Sequence, residues 1–320
     1  MNALVIGCGS IGRRHISNLI ASDRVNRIIV LTQNRKCAKG LEDSGKLVMV
    51  SSLSGVSADF AVIANETAKH IETAVQLAEK NIDLFIEKPL SHNLDGADML
   101  KSLAVKKGLK IFIGYNLRFL GIMRYIKEQV DGKSLGDLYF SKIEVGQYLP
   151  LWRTGTDYRD SYSASRERGG GVALDLSHEL DYMRYIFGDP VNWKVMRSRT
   201  GSLDMDAEDI FEGLYLFGNN FVCNVHMDCL QENAKRSIRI EGSRGALTCD
   251  FIGKELTVSS QSGRTVINDP VLFDVHETYK TEMDSFMDVI EKRVEPAITI
   301  EDGIAVLRLI EDEGNGNINV

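Results

Sequence analysis

A glycine-rich loop near the start of the chain constrains its fold more than any other feature. The segment Gly7–Gly12, GCGSIG, directly follows the apolar run Ala3–Ile6 and opens a helical pattern that continues to Ile20. This spacing between a strand and a helix is typical of dinucleotide binding: the first glycine permits a tight turn, the second lets backbone amides approach a pyrophosphate, and the third lets the helix pack on the strand. The helix N-terminus also attracts the anion. The segment therefore predicts a Rossmann-type α/β domain that binds NAD or NADP.

The end of the second predicted strand indicates which dinucleotide is preferred. In NAD-binding domains a carboxylate about 20 residues beyond the glycines binds the ribose hydroxyls. Here residues 31–36 read LTQNRK, without a carboxylate and with Arg35 and Lys36 in a place that suits a 2′-phosphate. The segment therefore favours NADP, although the same two cations also suit the solvated start of a helix.

Composition narrows the class of partner. The 320 residues, 43% of them hydrophobic, suffice for two domains. The net charge of −7 and the scattered cations argue against nucleic acid, and no apolar run reaches the roughly 20 residues of a membrane span. The five cysteines form no Cys-x-x-Cys pair and the histidines show no metal-ligand spacing, so neither a disulfide framework nor a metal site is indicated. We expect a cytoplasmic protein that acts on a small molecule.

The hydrophobic pattern changes near residue 118. Before it, apolar runs alternate with helical patterns, which predicts a parallel sheet with helical crossovers. The predicted strands are Ala3–Ile6, Arg27–Leu31, Leu47–Val50, Phe60–Ala64, Leu84–Ile86 and Lys110–Ile113, with helices Thr67–Lys80 and Leu94–Lys107. After it, period-two alternation predicts antiparallel strands at Leu138–Tyr148, Val191–Thr200, Ile210–Phe217, Phe221–Cys229, Arg236–Glu241 and Leu247–Asp250, with helices Val172–Phe187, Thr278–Lys292 and Ile300–Asp312. We predict domains at 1–118 and 119–320.

Two places carry candidate catalytic residues. Glu87-Lys88-Pro89 ends a predicted strand, so Lys88 is expected to point into the crevice where open α/β sheets bind ligands. Three glycines, 169–171, precede a predicted helix in which Asp175 and His178, three residues apart, share a face. A carboxylate beside an imidazole orients it and favours its charged form, as a proton shuttle requires. An isolated Asp-x-x-His is also compatible with a structural cap or a buried hydrogen bond.

The predicted cofactor contacts come from the glycine loop, from the end of the second strand and from the carboxyl ends of later strands. They are Gly7, Gly9, Ser10, Ile11, Gly12, Arg13, Thr32, Asn34, Arg35, Asn65, Thr67, His70, Glu87, Lys88 and Asn116.

Taken in order, these motifs resemble the family of glucose–fructose oxidoreductase, inositol dehydrogenase and rhizopine-catabolism (MocA-type) dehydrogenases. The resemblance spans essentially the whole chain, through the glycine loop, VIANETAKH at 62–70, Glu87-Lys88-Pro89, YNLR at 115–118 and the triple-glycine helix. It implies a Rossmann N-terminal domain and a C-terminal domain with an open, mostly antiparallel sheet. It also implies a homodimer or homotetramer formed through the exposed face of that sheet.

The resemblance further implies reversible oxidation of a sugar or cyclitol hydroxyl. Lys88 would contact the reacting oxygen, and His178 would be the acid/base partner, helped by Asp175. The commoner family pattern places the Asp and His four residues apart, so the imidazole is expected to be rotated here.

The segment from Tyr148 to Arg168 is the predicted substrate-binding loop. It combines aromatic planes, which suit sugar faces, with arginines, which suit an anion; the alternative is a solvent-exposed loop. WRTGTDYRDSYSAS and GGGVALDLSHELDY resemble a subgroup from bacterial surface-polysaccharide and nonulosonic acid gene sets, which implies a nucleotide-linked or acidic amino sugar. The predicted substrate contacts are Lys88, Tyr115, Arg118, Trp152, Arg153, Tyr158, Asp175 and His178.

Two other functions stay open at this point. One is a regulator that senses its nucleotide, as in the related galactose-pathway repressor. The other is a glycosidase that oxidises its substrate transiently with bound NAD. The joint presence of Lys88 and His178 favours the dehydrogenase.

Overall fold

The structure is a computed structural model that describes residues 1–32, 39–41, 44–153 and 155–311. The chain divides into two units. The first contains residues 1–115 and 276–307, and the second contains residues 116–275 with the described residues from Arg308 onwards. No helix among the described residues is long and apolar enough to span a membrane.

The first unit is built on a six-stranded parallel sheet, sheet A, in the order β3-β2-β1-β4-β5-β6. Its strands are β1 (Asn2–Ile6), β2 (Arg27–Leu31), β3 (Leu47–Val50), β4 (Phe60–Ile63), β5 (Asp83–Glu87) and β6 (Ile111–Gly114). The crossover helices are α1 (Ser10–Ala21), α2 (His70–Glu79) and α3 (Ala97–Lys107). All four side chains of β4 are buried, which a parallel sheet covered on both faces requires. The predicted Rossmann domain is confirmed.

Helices α7 (Val275–Lys292) and α8 (Ile300–Ile310) come last in the chain, yet residues 276–307 belong to the first unit. Phe286 of α7 packs edge-on against Phe60, Phe85 and Phe112 of sheet A, with ring centroids 5.5, 5.6 and 5.8 Å apart. The predicted division into 1–118 and 119–320 is therefore wrong for residues 276–307. A periodic apolar pattern predicts that α7 has a face to bury but not which sheet it covers.

The second unit is built on an eight-stranded sheet, sheet B, in the order β14-β13-β12-β11-β7-β10-β9-β8. Its strands are β7 (Leu138–Gly146), β8 (Asn192–Ser198), β9 (Ile210–Leu216), β10 (Val222–Asp228), β11 (Lys235–Gly242), β12 (Gly245–Asp250), β13 (Glu255–Ser260) and β14 (Gly263–Ile267). Neighbouring strands are antiparallel except β7 and β10, which are parallel. Cys223, Val225 and Met227 of β10 are buried while the residues between them are partly exposed, so one face covers a core and the other is open. The predicted C-terminal sheet is confirmed.

Three further helices belong to this unit: α4 (Gly121–Asp131), α5 (Val172–Asp175) and α6 (His178–Phe187). Neither α4 nor the strands β13 and β14, at one end of sheet B, was predicted from the sequence. These two strands contain Ser, Thr and Arg at exposed or partly exposed positions, so their alternation of apolar and polar residues is weak.

A histidine on the partly exposed side of β10 lies between two carboxylates. His226 Nδ1 is 2.6 Å from Glu212 Oε1, and its Nε2 is 3.0 Å from Asp228 Oδ2. Hydrogen bonding to Asp228 and to Glu212 raises the pKa of His226 to about 9, against the opposing effect of partial burial. The imidazolium thus links β9 to β10 at neutral pH.

This pairing predicts a pH-dependent contribution to stability. Because the pKa of His226 is higher in the folded state, its stabilisation is complete below the unfolded value of 6.5 and is lost as the pH rises through about 9. We expect the free energy of unfolding of wild type to exceed that of His226→Gln most at pH 6 and least near pH 9.5, measured by urea denaturation. His276→Gln, at the exposed start of α7, is the matched control. A gap between wild type and His226→Gln that does not change with pH would contradict this assignment.

Candidate active site

The glycine loop connects β1 to α1 through two close backbone approaches. Gly7 has φ +94°, and a Cβ there would lie 2.5 Å from the carbonyl oxygen of Ala64. A Cβ on Gly12, in the first turn of α1, would lie 2.4 Å from the carbonyl oxygen of Gly7. A Cβ on Gly9 would meet no atom of the described residues within 4 Å. The first and third glycines are thus required by packing, whereas the second faces open space.

The N-terminus of α1 fits an anion. No side chain caps the helix and its first turn holds no acidic residue, so neither an oxygen cap nor a carboxylate competes there. Gly9 and Ser10 are exposed and Ile11 and Arg13 are partly exposed, all at this helix start. These residues fit the pyrophosphate of a dinucleotide.

Cys8, within this loop, is disulfide-bonded. The spacing of the cysteines along the chain indicated no disulfide, because that spacing does not determine which cysteines lie close together in the fold. Cys223, Cys229 and Cys249 are free and buried.

Other predicted residues follow strands of sheet A at the same edge as the loop. The loop follows β1, Asn65 follows β4, Lys88 follows β5 and Tyr115 follows β6, and all these strands are parallel. Since the carboxyl ends of parallel strands meet at one edge, Lys88 lies at the edge that carries the glycine loop. Thr32 follows β2 at this edge too, whereas Asn34 and Arg35 lie outside the described residues.

The side chains of two residues predicted to contact the cofactor, Glu87 and His70, bond to other residues of the first unit. Glu87 is buried, and its Oε1 lies 2.5 Å from Nε2 of the buried His15. His70 is buried as well, with Nδ1 2.9 Å from the carbonyl oxygen of Pro89 and Nε2 3.2 Å from that of Asn65. Burial lowers the pKa of His70. These contacts hold the loops on either side of Lys88, and Thr67, also buried, begins the turn that leads to His70.

In the second unit, the predicted helix Val172–Phe187 is interrupted. Helix α5 ends at Asp175 and α6 begins at His178, because Leu176, with ψ +23°, leaves the helical conformation. The predicted continuous helix is therefore wrong: Asp175 ends one helix and His178 begins the next, so a shared face of one helix does not relate them. Asp175 is buried while His178 is partly exposed at the first residue of α6.

Asp175 interacts with a residue that the sequence analysis missed. The negative charge of Asp175, and then burial, raise the pKa of Tyr162 well above its usual value, and the Tyr162 hydroxyl bonds to this carboxylate. The guanidinium of Arg153 lies 5.1 Å from the centre of the Tyr162 ring. Tyr162 stands in the predicted substrate loop, but nothing in its local pattern separates it from the other tyrosines there.

Ion pairs hold two carboxylates that follow His178 in the first turn of α6, Glu179 and Asp181. Glu179 accepts hydrogen bonds from Arg236, at 2.7 and 3.1 Å. Asp181 accepts a two-nitrogen fork from Arg118, with its shortest bond at 2.6 Å. Both carboxylates are almost fully buried. Arg118, predicted to bind substrate, is engaged in this pair.

The other predicted substrate residues make hydrogen bonds to different parts of the chain. Trp152 donates its ring N–H to the carbonyl oxygen of Gln147, and the Tyr158 hydroxyl accepts from the backbone of Asp204. Tyr115 and Asn116 are buried on either side of the border between the units.

Two family profiles match the chain. One is described as an oxidoreductase family with an NAD-binding Rossmann fold and matches residues 1–115. The other is the GFO/IDH/MocA C-terminal domain and matches residues 123–248. Together they cover most of the chain.

Known proteins similar to the chain include several dehydrogenases. It is 26% identical to myo-inositol 2-dehydrogenase of Thermotoga maritima over 329 residues, covering 95% of this chain and 92% of that protein. Its fold is similar to levoglucosan dehydrogenase in complex with NADH and levoglucosan, with TM-score 0.84, 18% identity and coverage of 97% and 96%. It is similar also to the WlbA dehydrogenase from Bordetella pertussis in complex with NADH and UDP-GlcNAcA, with TM-score 0.83, 17% identity and coverage of 96% and 92%.

The loop geometry predicts different outcomes for two glycines. Gly9→Ala places its methyl in open space, so we expect stability close to wild type but at least about tenfold weaker dinucleotide binding, since the backbone can no longer approach the anion as closely. Gly12→Ala is the matched variant and should lower stability by roughly 1–3 kcal/mol through overpacking. Urea denaturation and fluorescence titration with NADH and NADPH measure the two effects. Wild-type affinity in Gly9→Ala would contradict this role of the loop.

Proposed function

We propose a specific reaction on the premise that the chain belongs to the GFO/IDH/MocA family of NAD-binding oxidoreductases, as its two matching profiles show. The reaction is reversible hydride transfer between nicotinamide and a hydroxyl-bearing carbon of a sugar or cyclitol. The observation that carries the proposal is that Lys88 and the glycine loop lie at the same edge of sheet A. A cation beside a dinucleotide crevice suits a reaction in which an oxygen gains negative charge.

The glycine loop and the N-terminus of α1 would hold the pyrophosphate of the cofactor. When bound, the nicotinamide supplies or accepts the hydride. Lys88 contacts the reacting oxygen and stabilises the alkoxide that develops as the hydroxyl is oxidised. This role requires only that the ammonium group of Lys88 stay charged.

His178 is the proposed acid/base partner. It removes the hydroxyl proton during oxidation and returns it during reduction. It stands in the first turn of α6, which is held by the ion pairs of Glu179 and Asp181. Asp175, with its hydroxyl donor Tyr162, supplies a fixed negative charge to this part of the second unit.

The proposed substrate carries an anionic group, as nucleotide-linked and acidic sugars do. Arg153 supports this, because its guanidinium is partly exposed and is stacked near the ring of Tyr162, which itself bonds Asp175. A planar guanidinium binds either a phosphate or a carboxylate with two parallel bonds. The WlbA dehydrogenase, solved with UDP-GlcNAcA, has a fold similar to this chain. The proposed setting is surface-polysaccharide or nonulosonic acid metabolism.

We also propose assembly into a homodimer or homotetramer through the open face of sheet B. Met196, Leu214 and Phe140 are exposed hydrophobic side chains on its strands, at 61, 49 and 37%. A partner copy that covered them would remove this apolar area from water.

Lys88→Ala tests the catalytic assignment. We expect this variant to bind NADH and NADPH like wild type and to lose turnover by at least about a hundredfold, since the alkoxide loses its cation. Cofactor oxidation or reduction is followed with a panel of myo-inositol, glucose, glucose 6-phosphate and UDP-GlcNAcA. Lys106→Ala, on the exposed side of α3, is the control. Near-normal turnover in Lys88→Ala would overturn the assignment.

Cofactor preference follows from the end of β2. Residues 32–36 include no carboxylate to bind the ribose hydroxyls, and two of them, Arg35 and Lys36, are cations. We expect fluorescence titration to give a lower Kd for NADPH than for NADH. Tighter binding of NADH would contradict the proposed NADP preference without affecting the assignment of Lys88.

A further inference from the structure

A buried cluster of three titratable side chains lies beneath Lys88 in the first unit. It consists of His15 from α1, Glu87 at the end of β5 and Glu282 from α7, and one ligand-capable atom of each lies within 4.8 Å of those of the other two. His15 and Glu282 are fully buried and Glu87 is 6% exposed. Among the described residues, no hydrogen-bond donor reaches either carboxyl oxygen of Glu282. A buried carboxylate left in this state would be strongly destabilising.

The surroundings supply too little positive charge for both carboxylates. His15 is the only cation-forming group of the cluster, and it is bonded to Glu87. The ring of Tyr279, one turn before Glu282, lies near His15. The guanidinium of Arg14 stacks over the Tyr279 ring, 4.3 Å from its centre. Burial, and then the charge of Glu87, raise the pKa of Glu282 well above its usual value. Two carboxylates this close in a buried site do not both ionise.

The cluster geometry favours a proton over a metal ion. His15 Nε2 and Glu87 Oε1 are 2.5 Å apart, closer than an ordinary N–H···O hydrogen bond. Ligand atoms bound to a tetrahedral ion at about 2.1 Å are roughly 3.4 Å from each other. The pair would have to separate before an ion could enter.

We propose that Glu282 is a neutral carboxylic acid whose O–H donates a hydrogen bond to the Glu87 carboxylate, and that this cluster positions Lys88. Glu87 Oε2 accepts the backbone N–H of Lys88 at 3.2 Å, so one carboxylate receives His15, Glu282 and Lys88 together. An ionised carboxylate has about four acceptor sites, enough for all three donors. Glu282 is thus a positioning residue that acts through Glu87, and this second part of the proposal rests on the proposed function of Lys88.

The protonation state is tested without any substrate. Infrared spectra of wild type minus those of Glu282→Gln, recorded at several values between pH 5 and 8, should show at each pH the C=O band of a protonated buried carboxylic acid that only wild type contains. The folded acid keeps its proton while the unfolded one ionises above pH 4.5, so wild type should lose stability relative to Glu282→Gln by up to tenfold in the unfolding constant per pH unit. Glu277→Gln, on the exposed side of α7, is the matched control. An ionised Glu282, or stoichiometric metal in the purified protein, would overturn the proposal.

The positioning role is tested by a pair of variants. Glu282→Gln keeps a donor to Glu87, whereas Glu282→Met keeps the volume but removes the donor. With the panel sugar that wild type turns over fastest, we expect Glu282→Met to lower kcat by about tenfold with the KM for the dinucleotide unchanged, and Glu282→Gln to restore kcat. Equal kcat in the two variants would refute positioning. If Lys88→Ala itself retains turnover, the proposed function fails, yet the infrared band still decides the state of Glu282.

Discussion

The contact between the backbones of Gly7 and Ala64 is the constraint on which the first unit depends. It brings the loops after β1 and β4 together, and Gly12 packs α1 onto the same loop. A side chain at either glycine would displace α1, and with it both the helix N-terminus proposed for the pyrophosphate and His15, which bonds Glu87. The same helix thus supports the cofactor end and the lysine end of the proposed site. Close packing of this kind tolerates almost no added volume.

The second unit depends instead on buried ion pairs. Arg236 with Glu179 and Arg118 with Asp181 hold the first turn of α6, where His178 stands. Burying a charge is costly unless its partner is well placed, and both arginines make two-nitrogen contacts. Removing either arginine would leave a buried carboxylate unpaired beside His178. These pairs therefore act on the geometry of the imidazole as well as on the stability of the unit.

Much of this arrangement follows from local sequence patterns. Strand ends in sheet A could be predicted because the runs are mostly apolar and are followed by a glycine, polar or charged residue, and this placed Lys88 and the loop at one edge. The break at Leu176 was not predicted, because apolar residues recur at helical spacing on both sides of it, although Asp175 and Ser177 are weak helix formers. The direction of the Glu87 side chain could not be predicted either. A carboxylate at a strand end is equally compatible with a ligand contact and with a bond to His15. The return of α7 to sheet A depends on aromatic packing across distant parts of the chain.

The central claim is that a hydride passes between nicotinamide and a carbinol carbon of a sugar or cyclitol. The most direct measurement is mass spectrometry of the dinucleotide after incubation of the protein with NAD⁺ or NADP⁺ and carbon-deuterated members of the sugar panel. The account predicts that the reduced dinucleotide gains one deuterium from at least one of them. Binding of both dinucleotide and sugar with no deuterium in the dinucleotide would contradict it.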